Sequence, residues 1–266
     1  MTLKSGLATA LVAAVVAAIV SAATITAIWR AAPGMVDAPA AGLKEKDVTD
    51  IVRNYLTENP EILVEMTTEL DNRQRDEQAA QQEKAISDNA DALFRSNHAY
   101  VGGNPDGDVT VVEFFDYNCG YCKRAMPDLV KLIDSDDKVR VVLKELPIFG
   151  DDSDDAAKGA LAAKLQGKYF EMHQKLFSES GKANKDKVLQ IADEIGLDVE
   201  QLKKDMESEE VGKALEEARE LAQKLGLQGT PYYLIGDQTI PGAPEDLYDR
   251  LSEKVAEVRE KGCKIC

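Results

Sequence analysis

Four cysteines stand in two C-x-x-C pairs, Cys119-Gly120-Tyr121-Cys122 and Cys263-Lys264-Ile265-Cys266. Two thiols at this spacing can close a local disulfide, hold a soft metal ion or exchange disulfides with another protein. For the first pair the flanking sequence separates these options. The run from Val109 to Phe115 (VTVVEFF) is β-branched and aromatic and predicts a strand, while the segment from Cys119 to about Ile133 predicts a helix. At a helix N-terminus the unpaired N–H groups and the helix dipole favour an anion, so a thiol there ionises readily. Thiols so placed can have pKa values of about 3.5–7.5, against about 8.5 for a free cysteine. Cys119 is therefore expected to be the nucleophile, and Cys122, one turn on, the thiol that resolves the mixed disulfide. A zinc site would need two more ligands at suitable spacing, and neither His98 nor His173 lies near in sequence. A purely structural disulfide across so short a loop would constrain little unfolded-chain entropy. No metal site is expected among the candidate residues, and no cofactor.

The terminal pair stays open to three readings: a tail disulfide, a soft-metal pair for copper(I) or zinc, or an accessory redox pair. No helix N-terminus activates these thiols, so the tail disulfide is the plainest of the three. The last four residues also have the outline of a prenylation box, but Lys264 stands where an aliphatic residue is wanted. His98 reads as a boundary residue and His173 as a helix residue. No Ser-His-Asp set or Gly-rich phosphate loop is present. A formal net charge of −16 argues against phosphate-backbone binding, so no nucleic-acid partner is expected.

The elements that must position the first pair can be read from the pattern around it. A chain of 266 residues is long enough for one good core plus an appended element. Residues Gly102 to Gly107 (GGNPDG) mark a turn and a boundary. After the first strand and helix, Val139 to Leu143 (VRVVL) predicts a second buried strand. From Asp154 to Leu225 the pattern is almost wholly helical, with breaks near Gly181 and Gly196. Strand signals return at Tyr232–Ile235 and Thr239–Ile240, and a helix follows from about Pro244 to Lys261. The order β-α-β, helices, β-β-α describes an α/β sheet split by a helical insertion. Glu113 falls inside the first strand. An unpaired carboxylate in an apolar strand is costly and has a raised pKa, and it could relay a proton to or from Cys122. Strand alternation also permits a Glu113 that points to solvent.

Ahead of this domain, Val48, Ile51, Val52, Tyr55 and Leu56 recur at helical spacing. Asn59-Pro60-Glu61 reads as a stop and restart, with Asn59 as N-cap, and Ile62, Leu63, Met66 and Leu70 continue an apolar face. From Asp71 to Lys84 that face gives way to a polar helix, and Ile86, Ala90, Leu93 and Phe94 restore apolar positions. Residues 44–98 are thus expected to form a helical stalk whose stripe needs a cover. A second copy of the chain is the expected cover, and folding back onto the domain at 99–262 is the alternative.

Lys4 precedes an uncharged Ala/Val/Ile-rich run from Leu7 to Ile28, closed by Trp29 and Arg30. A signal peptide has an apolar core of about 7–15 residues, and a spanning helix needs about 20. The run length favours a membrane anchor, and Ser21-Ala22-Ala23 offers small residues for cleavage. Residues 1–30 are a signal peptide or an anchor, and residues 31–43 a linker. Both readings export the remainder into an oxidising compartment, where disulfide chemistry operates.

The stretch VVEFFDYNCGYCKRAMPDL resembles the active-site segment of the DsbA family of thioredoxin-fold proteins. Pro127 matches the proline that kinks the helix in that fold, and Glu113 matches the family's buried acid behind the active site. AAKGALAAKLQGKYFEMHQKLF resembles the family's helical insertion, and GTPYYLIGDQTIPG its cis-proline loop. The resemblance spans about residues 100–262. It implies that Thr230-Pro231 is a cis peptide facing the C-x-x-C pair and contacting substrate backbone, which position alone could not settle, and that Glu113 modulates the thiols. The Gly-Tyr dipeptide between the cysteines and Thr230 before Pro231 are similar to those of dimeric bacterial disulfide isomerases. The segment YLTENPEIL resembles the N-terminal trimerisation segment of suppressor-of-copper-sensitivity proteins, a DsbA-like branch. Together these imply a periplasmic thioredoxin fold with a helical insertion and an N-terminal oligomerisation stalk, anchored to the inner membrane if residues 7–28 are retained. Its implied activity is disulfide isomerase or oxidoreductase. The implied partners are cysteine-containing exported proteins, a membrane redox partner and further copies of the chain, most simply as a trimer. A copper-handling protein that uses the thiolates as ligands is the alternative from a different class.

Overall fold

The computed structural model describes residues 44–263. The apolar run 7–28, the linker 31–43 and Cys266 lie outside the described residues. The chain divides into two compact units, Met1–Asp71 and Asn72–Cys266.

In the first unit, helix α1 (Glu45–Glu58) ends at Asn59, and helix α2 (Glu61–Asp88) begins two residues on. The interruption is where Asn59-Pro60 predicts it, but Asn59 works backward. Its side-chain amide donates to the Tyr55 carbonyl at 2.8 Å and closes the end of α1. Val48, Ile51, Val52 and Tyr55 on α1, and Leu63, Val64, Met66 and Leu70 on α2, are all exposed within the described residues. Past Asp71, α2 belongs to the second unit. There Ile86 is fully buried, and so are Leu93 and Phe94 of helix α3 (Ala90–Phe94). The region read as a stalk through residue 98 is therefore divided. Its last apolar residues pack beneath the sheet of the second unit, against Val112 and Phe114, because that is where their apolar area leaves water.

The second unit is built on a five-stranded sheet of order β1-β3-β2-β4-β5. The strands are β1 (Tyr100–Gly103), β2 (Val109–Phe115), β3 (Val139–Glu145), β4 (Tyr232–Ile235) and β5 (Gln238–Pro241). Only β2 and β3 are parallel, and the helix that must cross between them is α4 (Gly120–Ser135). Helices α5 (Asp151–Leu165), α6 (Tyr169–Ser178), α7 (Lys185–Glu194), α8 (Val199–Asp205) and α9 (Glu209–Lys224) separate β3 from β4, and α10 (Leu247–Lys261) closes the chain. Strand β1 is not expected from the sequence, where Gly102 and Gly103 read as the start of a turn. It pairs antiparallel with β3, Tyr100 opposite Leu143, and Gly103 takes a φ of 67° as the chain leaves the sheet.

All seven residues of β2 are buried, as expected of a central strand covered on both faces. Side chains alternate between the faces. Val109, Val111 and Phe115 join the core formed with α4, α10 and the helical insertion, whereas Val112 and Phe114 join the core formed with α3 and α9. Glu113 shares parity with Val111 and Phe115, so its carboxyl lies on the α4 side. Within the insertion, α5 and α7 touch at Gly159, where a Cβ would fall 2.3 Å from a Val188 methyl.

Candidate active site

Strand β2 delivers the chain to Asp116, and the turn 116–118 leads into Cys119, the N-cap of α4. Both Cys119 and Cys122 are free thiols and buried. Cys119 has extended backbone (φ −80°, ψ 114°), and its N–H donates to the Asp116 carbonyl at 3.1 Å. Its thiol donates to the main-chain carbonyl of Thr230 at 3.3 Å. Pro127 lies inside α4 and removes one backbone donor there.

The two thiols have opposite acidities. The Cys119 thiol is lowered to about 5, first by the hydrogen bond from Cys122, then by the Thr230 side chain and the N–H groups of Cys122 and Tyr121, with burial opposing. The Cys122 thiol is pushed far up, first by burial, then by its hydrogen bond to Cys119 and by the charge on Glu113. One sulfur sheds its proton readily and its neighbour keeps it. That asymmetry is what a nucleophile and a resolving thiol require.

The Thr230-Pro231 peptide is cis, and β4 begins at the next residue. The Thr230 hydroxyl is buried without a hydrogen-bond partner. Ionised Cys119 is an acceptor for that hydroxyl, which is how Thr230 contributes to the lowered pKa.

Glu113 is buried, not solvent-facing, and accepts from the Tyr233 hydroxyl at 2.8 Å. Burial raises its carboxyl to about 8, against the pull of the Tyr233 hydrogen bond. Tyr233 was not singled out from the sequence, although the antiparallel register of β2 and β4 places it directly opposite Glu113. Glu145 was also missed. At the end of β3 it accepts from Tyr169 at 2.6 Å and Tyr117 at 3.1 Å, and Tyr117 also meets His173 Nδ1 at 3.0 Å. Burial raises the Glu145 carboxyl and lowers His173 to about 3, so the imidazole is neutral and holds the insertion to the sheet.

Cys119, Cys122, Thr230 and Glu113 thus meet on one side of the sheet, with Pro231 next to Thr230. Cys263 stands elsewhere, beside Val258 and Gly236, and is disulfide-bonded.

A C-x-x-C pair capping the helix after the central strand, opposite a cis-proline loop and interrupted by a helical insertion, defines a thioredoxin-fold protein of the DsbA type. Residues 110–255 match the DSBA-like thioredoxin domain, and the chain belongs to that family. Residues 45–77 match the N-terminal domain of the copper resistance protein ScsC, which places it in the ScsC-like branch. A thioredoxin-like oxidoreductase from Silicibacter pomeroyi is 51% identical, with a TM-score of 0.62 over 64% of this chain and 97% of that one. A linker-deleted ScsC of Proteus mirabilis is 31% identical, with a TM-score of 0.63, covering 85% of this chain and 99% of that chain. A probable disulfide bond formation protein D of Bacillus cereus is 30% identical over 58% of this chain and 78% of its own length. The chain also spans 22–24% of the length of Na(+)/H(+) antiporter NhaA 1 proteins from Salinispora arenicola and Mycobacterium.

Proposed function

We propose that this chain is a protein thiol–disulfide oxidoreductase that works as a disulfide isomerase on exported, cysteine-containing proteins. The opposed acidities of Cys119 and Cys122 carry this reading. Cys119 thiolate attacks one sulfur of a substrate disulfide. A Cys119–substrate disulfide forms, the substrate S–S bond breaks, and the second substrate sulfur leaves as a thiolate. In isomerisation that thiolate attacks another disulfide of the same substrate. A substrate thiolate finally displaces Cys119, which leaves reduced with no net electron transfer. In reduction, Cys122 gives up its proton and attacks the Cys119 sulfur, releasing a substrate dithiol and leaving Cys119–Cys122 oxidised. Glu113 behind Cys122 accepts that proton in the fraction of molecules whose carboxyl is ionised, a fraction that grows as pH rises toward 8, and Thr230-Pro231 lines the substrate's approach.

The apolar stripes of α1 and the start of α2 support assembly through the first unit, with the trimer as the favoured state. One solved relative, from Salmonella enterica, is described as periplasmic, which supports the same compartment here. Among the described residues no helix is long and apolar enough to cross a membrane. The uncharged apolar run at residues 7–28 supports anchoring in the inner membrane, where a membrane redox partner would be within reach.

The copper-resistance description of the N-terminal domain favours a second reading, in which the thiolates bind copper(I). No cluster of three or more ligating side chains occurs among the described residues, so such a site would rest on two thiolates. Scrambled ribonuclease separates the readings. The isomerase reading expects recovery of activity by the parent, none by Cys119→Ala, and trapped mixed disulfides with Cys122→Ala. Equal recovery by Cys119→Ala would overturn it, and stoichiometric copper(I) binding without turnover would favour the second.

A further inference from the structure

A polar groove adjoins the cis-proline loop and has no part in the exchange chemistry above. It holds about 620 Å³ between residues 75–82 of α2 and residues 223–228 at the end of α9, all within the second unit. Gln82 in its wall donates to the Tyr232 hydroxyl at 2.6 Å, which fixes α2 against the start of β4. Gln228, also in the wall, stands two residues before Thr230, whose carbonyl accepts from the Cys119 thiol. The groove therefore begins within about 7 Å of main chain from the reacting site.

The groups that line the groove narrow what it can hold. Its two cations are engaged, Arg75 with the Asn72 side-chain carbonyl and Lys224 with Glu220 at 3.3 Å. The exposed side-chain amides of Gln78, Gln81 and Gln223 make no hydrogen bond among the described residues. Each amide offers donors and an acceptor without charge. An anion finds no uncommitted cation there, whereas a peptide main chain, which alternates N–H and C=O, finds a match for both. Gln78 and Gln81 are neighbours on one helix face, about 5–6 Å apart. That is close to the two-residue repeat of an extended strand, about 6.7 Å. The loop supplies a start for such a pairing. The N–H groups of Gln228, Gly229 and Thr230 have no partner among the described residues.

We infer that the groove of Gln78, Gln81, Gln223 and Gln228 is a second substrate subsite, which takes the main chain of the polypeptide flanking the reacting cystine whatever its side chains. Main-chain hydrogen bonds then supply affinity without a sequence preference. That suits an enzyme whose substrates share a disulfide and little else. A segment held in regular structure has its N–H and C=O groups already paired, so the groove selects stretches that are extended and unpaired.

This inference rests on the thiol-exchange reading, and the experiment keeps the two apart. The full chain is assayed against oxidised glutathione, which is too short to span the loop and the groove, and against a short cystine peptide extended by six alternating Gly and Ala residues on either side in turn. A parent that fails to react with oxidised glutathione would refute thiol exchange itself. Extension on one of the two sides should lower KM about tenfold, and N-methylation of that extension should abolish the gain. The triple variant Gln78→Ala, Gln81→Ala and Gln223→Ala should lose the same gain, beyond any change with oxidised glutathione. Alanine is the better helix former, so α2 and α9 are retained. An extension that gains nothing on either side, a gain that survives N-methylation, or an undiminished gain in the triple variant would overturn the proposal.

Discussion

The Cys119 sulfur donates to the Thr230 carbonyl at 3.3 Å, joining segments 111 residues apart at the point where the thiol must ionise. On ionisation the carbonyl loses its donor, and the buried Thr230 hydroxyl gains an acceptor. The side chain at 230 therefore interacts more favourably with the thiolate than with the thiol or the disulfide.

Thr230→Val tests that difference at nearly constant shape. Without the hydroxyl, the Cys119 thiolate loses a donor and its pKa rises. Reduced protein is then less favoured, and the Cys119/Cys122 potential moves in the more reducing direction by about 30 mV, or roughly 1.4 kcal/mol for two electrons. Equilibration with a glutathione buffer reads the potential, and thiolate absorbance reads the pKa. A potential that stays put or becomes more oxidising would remove Thr230 from the site.

The division of the chain predicts how it can be shortened. A chain of residues 72–266 keeps Ile86, Leu93 and Phe94 and should fold and reduce insulin. A chain of residues 96–266 loses all three and exposes the Val112/Phe114 face of the sheet. At roughly 1.5–3 kcal/mol per buried side chain, the loss is about 5 kcal/mol or more, comparable with the stability of an ordinary domain. Thermal unfolding of the two products checks this. Equal melting temperatures would show that residues 86–94 do not belong to the core of the second unit.

The parts legible in the sequence were those whose cause is local. The β-branched run at Val109–Phe115, the helix starting at Cys119 and the break at Asn59-Pro60 each follow from neighbouring residues. The family resemblance supplied the pairing of Cys119 with Thr230-Pro231, which no local pattern encodes. Features that depend on distant partners were not legible. Strand β1 contains Gly102-Gly103, poor strand residues that read as a turn until β3 supplies hydrogen bonds. Whether Glu113 faces solvent or core depends on Tyr233, 120 residues away. Asp116 and Asn118 have the spacing of an Asx turn, which was a usable signal, but their bonds to Ile148, Ser153 and Ala183 had none.

The opposed shifts of Cys119 and Glu113 predict a pH dependence of stability that changes with redox state. In the reduced protein Cys119 has a folded pKa of about 5, below its unfolded value of about 8.5. Between these values the unfolded chain holds the extra proton, so this group makes stability rise with pH and withdraws that contribution as pH falls toward 5. Glu113 has a folded pKa of about 8, above its unfolded value of about 4.3. Between these values the folded chain holds the extra proton, so stability from this group falls as pH rises. In reduced parent the two slopes oppose each other over most of the window from pH 5 to 8. In oxidised parent Cys119 no longer titrates, and the falling slope of Glu113 stands uncovered. Reduced Glu113→Gln, which keeps an acceptor for Tyr233, should keep the rising contribution of Cys119 without the opposing one of Glu113. His173 and Glu145 contribute alike to all three species, so denaturant unfolding between pH 5 and 8 should give, relative to reduced parent, a more falling slope for oxidised parent and a more rising slope for reduced Glu113→Gln. Parallel profiles for oxidised parent and reduced Glu113→Gln would mean that neither group titrates as its surroundings require.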